Sequence, residues 1–486
     1  MYGISFSPES RHSQYRQLVD QLRERITSGY IPGGTKLAST RTLALELAIA
    51  RGVVLEAIDQ LRLEGYLETR QGSGAYVREG LVWDSSERGT IEHSSGPERS
   101  ERPSAVGRPA TRADASLRSP AEMAERAVLS FAPGIPDLSL FPRRQWLSCY
   151  HDVIEYADPM DLAYTRPAGD WELRKEIASY LREIKGINVG PERIIVTAGA
   201  SQAFGILCEI IPSAKVAMEN PVAPFVRRVF DGHGASVSYV PVDSGGIRED
   251  LIPEGRLDYV YVTPSHQFPL GGCLNATRRV ALLERARSCG AWVIEDDFDS
   301  EFRYDGKPVA PLHVMAPERV AYVGTFSKVL SPALRLGFMI LPPGLQSRAK
   351  TLKRRWDLWS EGLQQKALRN FIERGHLARH LARTSRIYRK KRDYLVSLAH
   401  SRLAARWSVA GAETGMHLVL RHHDGAGNPV DVSGIVDSLR LSGIEAESVN
   451  AYCVSSNDHR DCLIVAYANR TEGELLRLVE ELSGIR

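Results

Sequence analysis

The sequence contains little cysteine, and the cysteines that it has are not paired. They are Cys149, Cys208, Cys273, Cys289, Cys453 and Cys462. These positions are spread over most of the chain and show none of the short spacings that metal-binding motifs use. The pattern excludes a disulfide framework or a zinc site as the basis of the fold. We therefore expect reduced thiols and no metal.

Long apolar runs and an excess of charge are missing as well. No run of apolar residues approaches the roughly 20 residues that cross a membrane, and residues 1–17 contain no apolar core of a secretion signal. We therefore expect a cytoplasmic protein. The net charge is only +3, so the composition by itself favours neither nucleic acid nor a membrane surface as the partner.

The chain is too long for one typical domain, with 486 residues of which 43% are hydrophobic. Residues 79–125 are rich in Ser, Arg, Gly and Pro and poor in large apolar residues. This composition predicts a flexible linker, with ends that lie on average roughly 35–40 Å apart. We therefore expect one domain in residues 1–78 and a larger one in residues 126–486.

The first segment has the pattern of a small helical domain that ends in a hairpin. Gln14–Ser28 and Arg51–Glu64 each place their apolar residues on one helical face, and Ser39 and Thr40 are candidate N-caps of a helix between them. The stretch YLETRQGSGAYV predicts two short strands around a glycine-rich tip. This order is the outline of an α+β winged helix-turn-helix. Because basic and acidic residues nearly balance here, a protein-interaction module stays open as the alternative.

The last segment alternates short apolar runs with amphipathic stretches. The runs RIIVTAGAS, LDYVYVTP, AWVIEDDFD and RVAYVGTFSK have the length of strands and end in polar residues, Gly or Pro. The alternation predicts βα units, and hence an α/β domain with a mostly parallel sheet. A smaller α+β domain is expected from about residue 346. Ligands of such sheets bind outside the carboxyl ends of the strands.

Two of these strand ends carry groups that suit a ligand. Ser201 and Gln202 follow the strand RIIV at the start of a helix, where free backbone N–H groups can hold a phosphate. Asp296 ends another apolar strand, and a carboxylate in such a cleft stays ionised when it meets a cation such as a protonated ring nitrogen. Taken alone, the first motif is better explained by an ordinary strand-to-helix turn, and the second by an N-cap or a solvated pair of acids.

A third strand end carries a lysine. Lys328 follows the strand VAYVG, and a desolvated lysine loses its proton readily and forms a Schiff base with an aldehyde. Thr325, Ser327 and Arg335 lie around it and suit a phosphate dianion. A phosphate cradle, a carboxylate for a ring nitrogen and a Schiff-base lysine on successive strand ends together predict pyridoxal 5′-phosphate as the cofactor.

The chain resembles two families, and the resemblance covers nearly everything except the linker. Residues 126–486 resemble the class I/II aminotransferases of fold type I, on the blocks LAYTRPAGDWELRKEIASYLREIKG, EDDFDSEFRY and GTFSKVLSPALRLGF. Residues 13–78 resemble the winged helix-turn-helix of the GntR superfamily. The combination resembles the MocR-type (GabR-like) bacterial transcription regulators, a branch that TPSHQFPLGG and DDFDSEFRY favour over ordinary aminotransferases.

The resemblance implies a role for each motif residue in binding pyridoxal phosphate. Lys328 would form the aldimine, and Asp296 would pair with the pyridine nitrogen. The phosphate would be held by Ser201, Gln202, Thr325, Ser327 and Arg335. Tyr164 would reach the phosphate of the neighbouring subunit, and His266 and Gln267 would lie near the cofactor hydroxyl.

Some positions depart from the family pattern. Phe298 stands where the family usually has a tyrosine that donates to the 3-hydroxyl of the cofactor. Ala223 stands where an aromatic ring usually stacks on the cofactor, with Phe225 as its nearest substitute. Arg460 is the candidate for gripping the carboxylate of an effector, although it lies one or two residues from the expected place.

The resemblance also implies a DNA-binding surface. Its residues are Ser39, Thr40 and Arg41 at the start of the second helix, Ala50, Arg51 and Gly52 at the start of the recognition helix, and Gly72 and Gly74 in the wing. Because Ala50 and Gly52 have no hydrogen-bonding side chain, we expect Arg51 to make most of the direct base contacts, preferably to guanine.

The leading hypothesis is therefore a regulator that is not itself an enzyme. It would bind double-stranded DNA as a head-to-tail, domain-swapped homodimer and sense an amine or amino acid through the aldimine at Lys328. Two alternatives stay open: a working amino-acid aminotransferase that carries a DNA-binding appendage, and a regulator for which pyridoxal phosphate itself is the signal.

Overall fold

The computed structural model of the protein describes residues 2–7, 13–70, 74–82, 129–305, 309–454 and 458–485. Apart from residues 79–82, the predicted linker at 79–125 lies outside these ranges. Within the described ranges, no helix combines the length and the apolar character that crossing a bilayer requires.

The N-terminal unit has the predicted order of helices and strands. Its elements are α1 (Gln14–Thr27), α2 (Thr40–Glu46), α3 (Arg51–Leu63), β1 (Leu67–Arg70) and β2 (Gly74–Val77). Ser39 caps α2 by accepting a hydrogen bond from the backbone N–H of Thr42. Gly65 follows α3 with a φ of +84°, a conformation that side-chain-bearing residues rarely adopt. β1 and β2 pair antiparallel, and the predicted winged helix-turn-helix is confirmed.

A buried ion pair fixes the first helix of this unit to the end of the third. The guanidinium of Arg23 donates to both carboxylate oxygens of Glu64, at 2.8 to 3.1 Å, and both side chains are buried. Leu22, Ile26 and Leu61 lie in the surrounding apolar core. Because breaking a buried pair leaves an uncompensated charge, this contact sets the orientation of the two helices firmly.

The larger unit is built on a mixed sheet. Its strands are β4 (Ile194–Thr197), β5 (Lys215–Asn220), β6 (Ser236–Asp243), β7 (Gly246–Ile247), β8 (Tyr259–Val262), β9 (Trp292–Asp297), β10 (Val320–Thr325) and β11 (Gly337–Ile340). In the described sheet their order is β4-β11-β10-β9-β8-β5-β6-β7. β7 and β11 run antiparallel to their neighbours, and the other neighbouring pairs are parallel. The predicted, mostly parallel α/β sheet is confirmed.

Helices cover both faces of this sheet. They are α4 (Arg143–Glu155), α5 (Trp171–Tyr180, continued by a π-turn at Leu181–Lys185), α6 (Ala200–Ile210), α7 (Pro224–Gly232), α8 (Ala276–Ser288), α9 (Leu312–Met315) and α10 (Pro343–Asp357). Short 3₁₀ turns occupy Leu138–Leu140, Pro191–Arg193, Glu249–Leu251, Pro332–Leu334 and Val449–Tyr452. One apolar layer includes Phe204 of α6, and the opposite layer includes Leu282 of α8.

A smaller α+β domain completes the chain. Its elements are α11 (Leu363–Glu373), α12 (His376–Arg402), β12 (Trp407–Ala410), β13 (His417–His422), α13 (Ser433–Leu441), β14 (Ile444–Glu445), β15 (Glu447–Ser448), β16 (Cys462–Ala466) and α14 (Glu472–Gly484). The strands β12-β13-β16-β15 form an antiparallel sheet, and a short strand β3 (Leu129–Ser130) pairs with β14.

The predicted start of the smaller domain, at about residue 346, falls inside α10. Leu345, Ala349 and Leu352 of this helix lie in the same apolar layer as Ile195 and Phe204 of the large sheet. Since a helix belongs to the domain in which it buries its apolar face, we propose that the smaller domain begins after α10.

The winged helix packs against the large domain through α8. The carbonyl of Glu64 accepts a hydrogen bond of 2.9 Å from the backbone N–H of Ala276, the first residue of α8. Tyr66 is 2% exposed, and Ala276 and Val280 share its apolar core. The contact buries apolar surface from both domains, which is the main driving force for such docking.

Candidate functional site

The carboxyl ends of β4, β9 and β10 meet at one edge of the sheet. Gly337 of β11 lies opposite both Thr197 at the end of β4 and Thr325 at the end of β10. Asp297 at the end of β9 lies opposite Gly324 of β10. The sheet order therefore brings together the three strand ends in which the sequence predicted a phosphate cradle, a carboxylate and a lysine.

Lys328 follows β10 and turns its amine into the domain. Its Nζ donates a hydrogen bond of 2.5 Å to the carbonyl of Gly134. Burial lowers the pKa of Lys328, although the negative charges of Asp299 and Asp296 oppose this shift. A lowered pKa increases the fraction of neutral amine, which is the form that attacks an aldehyde.

Asp296 and Asp297 occupy very different surroundings at the end of β9. Tyr261 donates a hydrogen bond of 2.6 Å to Asp296, but burial still raises the pKa of Asp296 to about 7. Burial also acts on Asp297, but the ammonium of Lys185 and hydrogen bonds from Ser300 and Tyr322 outweigh it and hold the pKa of Asp297 below its usual value. Asp296 therefore lacks a full cationic partner, and a protonated ring nitrogen would supply one.

Arg335 lies over the start of α6. Its Nη2 donates to the carbonyl of Ala198 at 2.7 Å and to the hydroxyl of Ser201 at 3.1 Å. A Cβ at position 199 would come within 3.1 Å of this guanidinium, and Gly199 has a φ of +80°, so only glycine fits there without strain. Gly199 also has no side chain to cap α6, which leaves N–H groups of the first turn for an anion.

Thr325 and Ser327 extend this cradle from β10. The hydroxyl of Thr325 donates to that of Ser327 at 3.0 Å and accepts from the backbone N–H of Ser327 at 3.1 Å. The two hydroxyls are thus held together at the end of the strand. Arg335, Ser201, Thr325 and Ser327 form a set of donors that suits a phosphate group.

The side chain of Gln202, the residue predicted to contact the phosphate, makes two hydrogen bonds within the protein. Its Nε2 donates to Asp357 at 2.7 Å, and its Oε1 accepts from the backbone N–H of Ala198. These bonds tie the loop before α6 to the end of α10. Gln202 therefore helps to fix this loop, and its contact with a phosphate stays a prediction.

The remaining positions that the resemblance assigns to cofactor contacts have neighbours of their own within the protein. Tyr164, the residue expected to reach a neighbouring subunit, is 80% exposed and stacks on Trp359 at 5.4 Å. Phe298 stacks on the imidazole of His266 at 5.5 Å. Ala223 is the N-cap of α7, and Phe225 in that helix is 38% exposed beside Phe204.

His266 forms a buried pair with Asp299, a residue that the sequence analysis did not select. Its Nδ1 lies 2.7 Å from Oδ1 of Asp299, and both side chains are 1% exposed. Among the described residues, His266 Nε2 and Asp299 Oδ2 are buried without a hydrogen-bond partner. Asp299 is the third aspartate in EDDFDSEF, but its contact with His266 depends on the fold and has no local signal in the sequence.

These observations fit pyridoxal phosphate. The uncapped helix start beside Arg335 suits the phosphate, and the raised pKa of Asp296 suits a pyridinium. The buried polar atoms of His266 and Asp299 suit a polar ring substituent. Lys328 lies close enough to Asp296 and Asp299 for both charges to act on its pKa. The residues present therefore match each part of the cofactor.

Arg460 lies far from the other residues of this site. It precedes β16, whose far end, Ala466, lies opposite His417 beside His266. At about 3.3 Å per strand residue, Arg460 lies roughly 20 Å from that end. It is half-exposed and faces Asp431 at 3.7 Å. In this position Arg460 gains no support as the carboxylate-binding residue, and that role stays a prediction.

The predicted DNA-binding residues lie on one exposed region of the winged helix. Arg41, Ala50, Arg51 and Gly52 are exposed around the starts of α2 and α3. The Nε of Arg51 donates to the hydroxyl of Thr40 at 3.4 Å, and a Cβ at Gly52 would meet no atom within 4 Å. The surface is therefore open to a groove of DNA.

The wing itself is described in part. Gly74 begins β2 and has a φ of +105°, and a Cβ there would lie 3.5 Å from the side chain of Lys36. Gly72 lies outside the described residues. The ammonium of Lys36 also lies over the ring of Tyr76 in β2. The wing therefore has a positive charge beside it that can contact a DNA phosphate.

Comparisons with known proteins match both parts of the chain. Residues 145–482 match the family model "Aminotransferase class I and II", and residues 14–77 match "Bacterial regulatory proteins, gntR family". The structure is similar to the multiple substrate aminotransferase of Thermococcus profundus, with a TM-score of 0.68 and 23% identity over 77% of this chain and 96% of that one. This likeness shows the fold.

Two curated relatives are regulators by name. The probable rhizopine catabolism regulatory protein MocR of Rhizobium meliloti is 32% identical over 415 residues, which are 84% of this chain and 81% of that protein. The HTH-type pyridoxine biosynthesis transcriptional regulator PdxR of Corynebacterium glutamicum is 31% identical over 488 residues, which are 99% of this chain and 97% of that protein.

Proposed function

Since the chain belongs to the MocR-type transcription regulators, in which a gntR-family winged helix precedes a class I and II aminotransferase domain, we propose that it controls transcription in response to a ligand that reaches Lys328. One observation carries this proposal. The same chain contains a helix α3 whose first residues are exposed and a buried lysine, Lys328, with a lowered pKa. An enzyme needs only the second of these features.

The cofactor of the aminotransferase domain is pyridoxal 5′-phosphate. We assign its phosphate to Arg335, Ser201, Thr325 and Ser327 and to the start of α6. Asp296 would pair with the ring nitrogen, and Lys328 would supply the amine. When bound, the cofactor supplies an aldehyde that condenses reversibly with primary amines. The protein would hold the group in place, and the burial that lowers the pKa of Lys328 favours its neutral amine.

The signal has to travel from Lys328 to the winged helix, and α8 offers a route. The guanidinium of Arg279 in α8 is fully buried and donates to the carbonyls of Leu274, Ala310 and Pro264. Pro264 belongs to the same turn as His266 in the cofactor site. The start of α8 in turn holds Glu64 of the winged helix. A shift of this turn would therefore move the surface on which the winged helix rests.

We propose that the protein acts as a homodimer. Fold-type I aminotransferase domains commonly pair, and exposed Tyr164 is the residue assigned to the phosphate of the other subunit. Two winged helices in one dimer would bind two half-sites of double-stranded DNA. A head-to-tail arrangement would place each winged helix on the α8 surface of the partner.

The signal is an amine, an amino acid or pyridoxal phosphate itself. The match over 97% of a pyridoxine biosynthesis regulator supports the cofactor as the signal. Every residue of β16 is apolar and buried, so this strand offers no cation to an amino-acid carboxylate, which also favours the cofactor or a simple amine. Sustained transamination is the remaining alternative, because Lys328 and Asp296 are both present.

A DNase footprint on the intergenic DNA upstream of the gene tests the regulator. We expect protection of repeated half-sites by the wild-type protein and weaker, less selective protection by Arg51→Ala. Absence of protection with and without pyridoxal phosphate would contradict the proposal. Release of many equivalents of keto acid per protein molecule from an amino acid would favour the enzyme instead.

A further inference from the structure

The pair formed by His266 and Asp299 has more hydrogen-bonding capacity than the described protein groups use. One edge of each side chain is spent on the 2.7 Å contact between them. The other edge, His266 Nε2 and Asp299 Oδ2, is buried and has no partner among the described residues. A buried polar atom without a partner destabilises the fold. Two such atoms in one pair of side chains at a cofactor site indicate a polar ligand atom.

The surrounding residues hold the imidazole of His266 in one orientation. Phe298 stacks on it at 5.5 Å, and the ring of His417 lies 5.1 Å away. A Cβ at Gly415 would come within 2.0 Å of His266 Cε1 and 2.8 Å of Asp299 Oδ2. Glycine at 415 therefore makes room for the pair, and Tyr304 and Tyr467 fix its backbone by donating to its carbonyl.

The same region lacks the phenol that the family uses. Phe298 stands at the position of the usual tyrosine, and its ring has no donor. That ring stacks on the imidazole of His266. The donor that the 3-oxygen of the cofactor ring requires must therefore come from another group.

We propose that Asp299 is a positioning residue that holds His266 as the hydrogen-bond donor to the 3-oxygen of pyridoxal phosphate, in place of the missing phenol. The carboxylate of Asp299 accepts the hydrogen bond from Nδ1 of His266 and fixes the ring so that a proton on Nε2 is donated to the 3-oxygen. This inference rests on pyridoxal phosphate binding at Lys328. It adds to that proposal the group that sets the proton of the bound cofactor.

Other charged groups face the pair and have to be included. Lys328 and Asp296 lie on its cofactor side. Burial, followed by the charge of His266, lowers the pKa of His417 to about 4, so that ring is neutral near pH 7. Burial holds the pKa values of Tyr304 and Tyr467 high, and the charge of Asp299 adds to it. The charges that face the pair across the site are therefore those of Lys328 and Asp296.

The test is a pH titration of the visible absorption of the bound cofactor. A donor to the 3-oxygen weakens its attraction for the proton on the lysine-linked nitrogen, so that proton leaves at lower pH. Asp299→Asn, which is nearly isosteric, should raise the transition by about one pH unit, the size expected for one charge-assisted hydrogen bond. The double variant Asp299→Asn with Phe298→Tyr, which restores a phenol, should bring the transition back toward wild type.

The control is Asp305→Asn, which removes an exposed carboxylate from the same sequence stretch. An unchanged transition in Asp299→Asn, or an equal shift in the control, would overturn the proposal. The absorption band reports that each variant is folded and loaded. A wild-type protein with no such band at any pH would instead overturn the cofactor site, and this assignment with it.

Discussion

Asp296 and Asp297 are neighbours in β9, yet their carboxylates face opposite sides of the strand. Tyr261 donates to Asp296, whereas Lys185 and Tyr322 donate to Asp297. Burial acts on both carboxyls and raises the pKa of Asp296. At Asp297 the ammonium of Lys185 and the hydrogen bonds outweigh burial, so the pKa of Asp297 is lowered. Asp297 is therefore part of the scaffold, and the proposed pairing with the ring nitrogen would give Asp296 the cation that lowers its pKa.

Asp296→Asn should weaken cofactor binding and yet stabilise the cofactor-free protein at alkaline pH. Burial raises the pKa of Asp296 to about 7 from an ordinary value of 3.8. Its contribution to the free energy of unfolding is therefore full below pH 4 and is lost as the pH rises through 7. At pH 8 the loss is at most about 4 kcal/mol. Asparagine cannot ionise, so the variant does not lose this stability.

Urea unfolding of both cofactor-free proteins at pH 5 and pH 8 checks this. We expect the free energy of unfolding of the variant to rise relative to that of wild type as the pH rises. We also expect its affinity for pyridoxal phosphate to fall roughly 10- to 100-fold. A difference in stability that does not change with pH would show that Asp296 is ionised without a cofactor.

Lys185→Met should destabilise the whole large domain. The Lys185 ammonium lies 3.0 Å from Asp297 and 2.8 Å from Glu301, and its side chain is 5% exposed. Removing it leaves buried negative charge unpaired, which costs about 3–5 kcal/mol. Denaturant unfolding measures this. The control Lys175→Met removes an exposed pair with Glu172 and should change stability by less than about 0.5 kcal/mol; equal effects would contradict the account.

Arg51→Ala should relax DNA specificity at one base position. Arg51 is exposed at the start of α3, between residues without donors, so its loss should cost roughly 1–3 kcal/mol on the specific site and little on random DNA. Competition binding with single-base variants of the operator measures this. Arg62→Ala, near the other end of α3, serves as the control. An equal loss on specific and random DNA would make Arg51 a phosphate contact.

Val280→Glu should uncouple the two domains. Val280 is 1% exposed in the core that α8 shares with Tyr66, and a carboxylate there would separate the winged helix from α8. We expect normal cofactor absorption and normal DNA affinity, but no change of DNA binding on adding pyridoxal phosphate. Glu284→Gln, exposed on the same helix, is the control. A retained cofactor response in Val280→Glu would exclude the α8 route.

Local patterns in the sequence predicted much of this structure. The periodicity of Gln14–Ser28 and the cap at Ser39 depend on neighbouring residues alone, and both match the structure. Lys328 and Asp296 could be predicted because each is a polar residue at the end of an apolar strand, which is also a local pattern. Parallel strands share one edge for their carboxyl ends, so the cofactor site followed from the fold class.

The remainder depends on contacts between distant residues. Asp299 became visible only when the turn with His266 was placed beside β9, and the docking of Tyr66 on α8 joins segments that are far apart in sequence. The contacts that the structure shows for Gln202 and Arg460 differ from the predicted ones, because side-chain direction and strand register decide them. None of these follows from a local pattern.

The most direct test of the account is a footprint titration with pyridoxal phosphate, using wild-type protein and Lys328→Ala on the upstream DNA. The account predicts that the wild-type footprint changes in extent or affinity as cofactor is added, while Lys328→Ala binds the same DNA and does not respond. An identical response in both proteins would contradict it, because the lysine would then have no part in sensing.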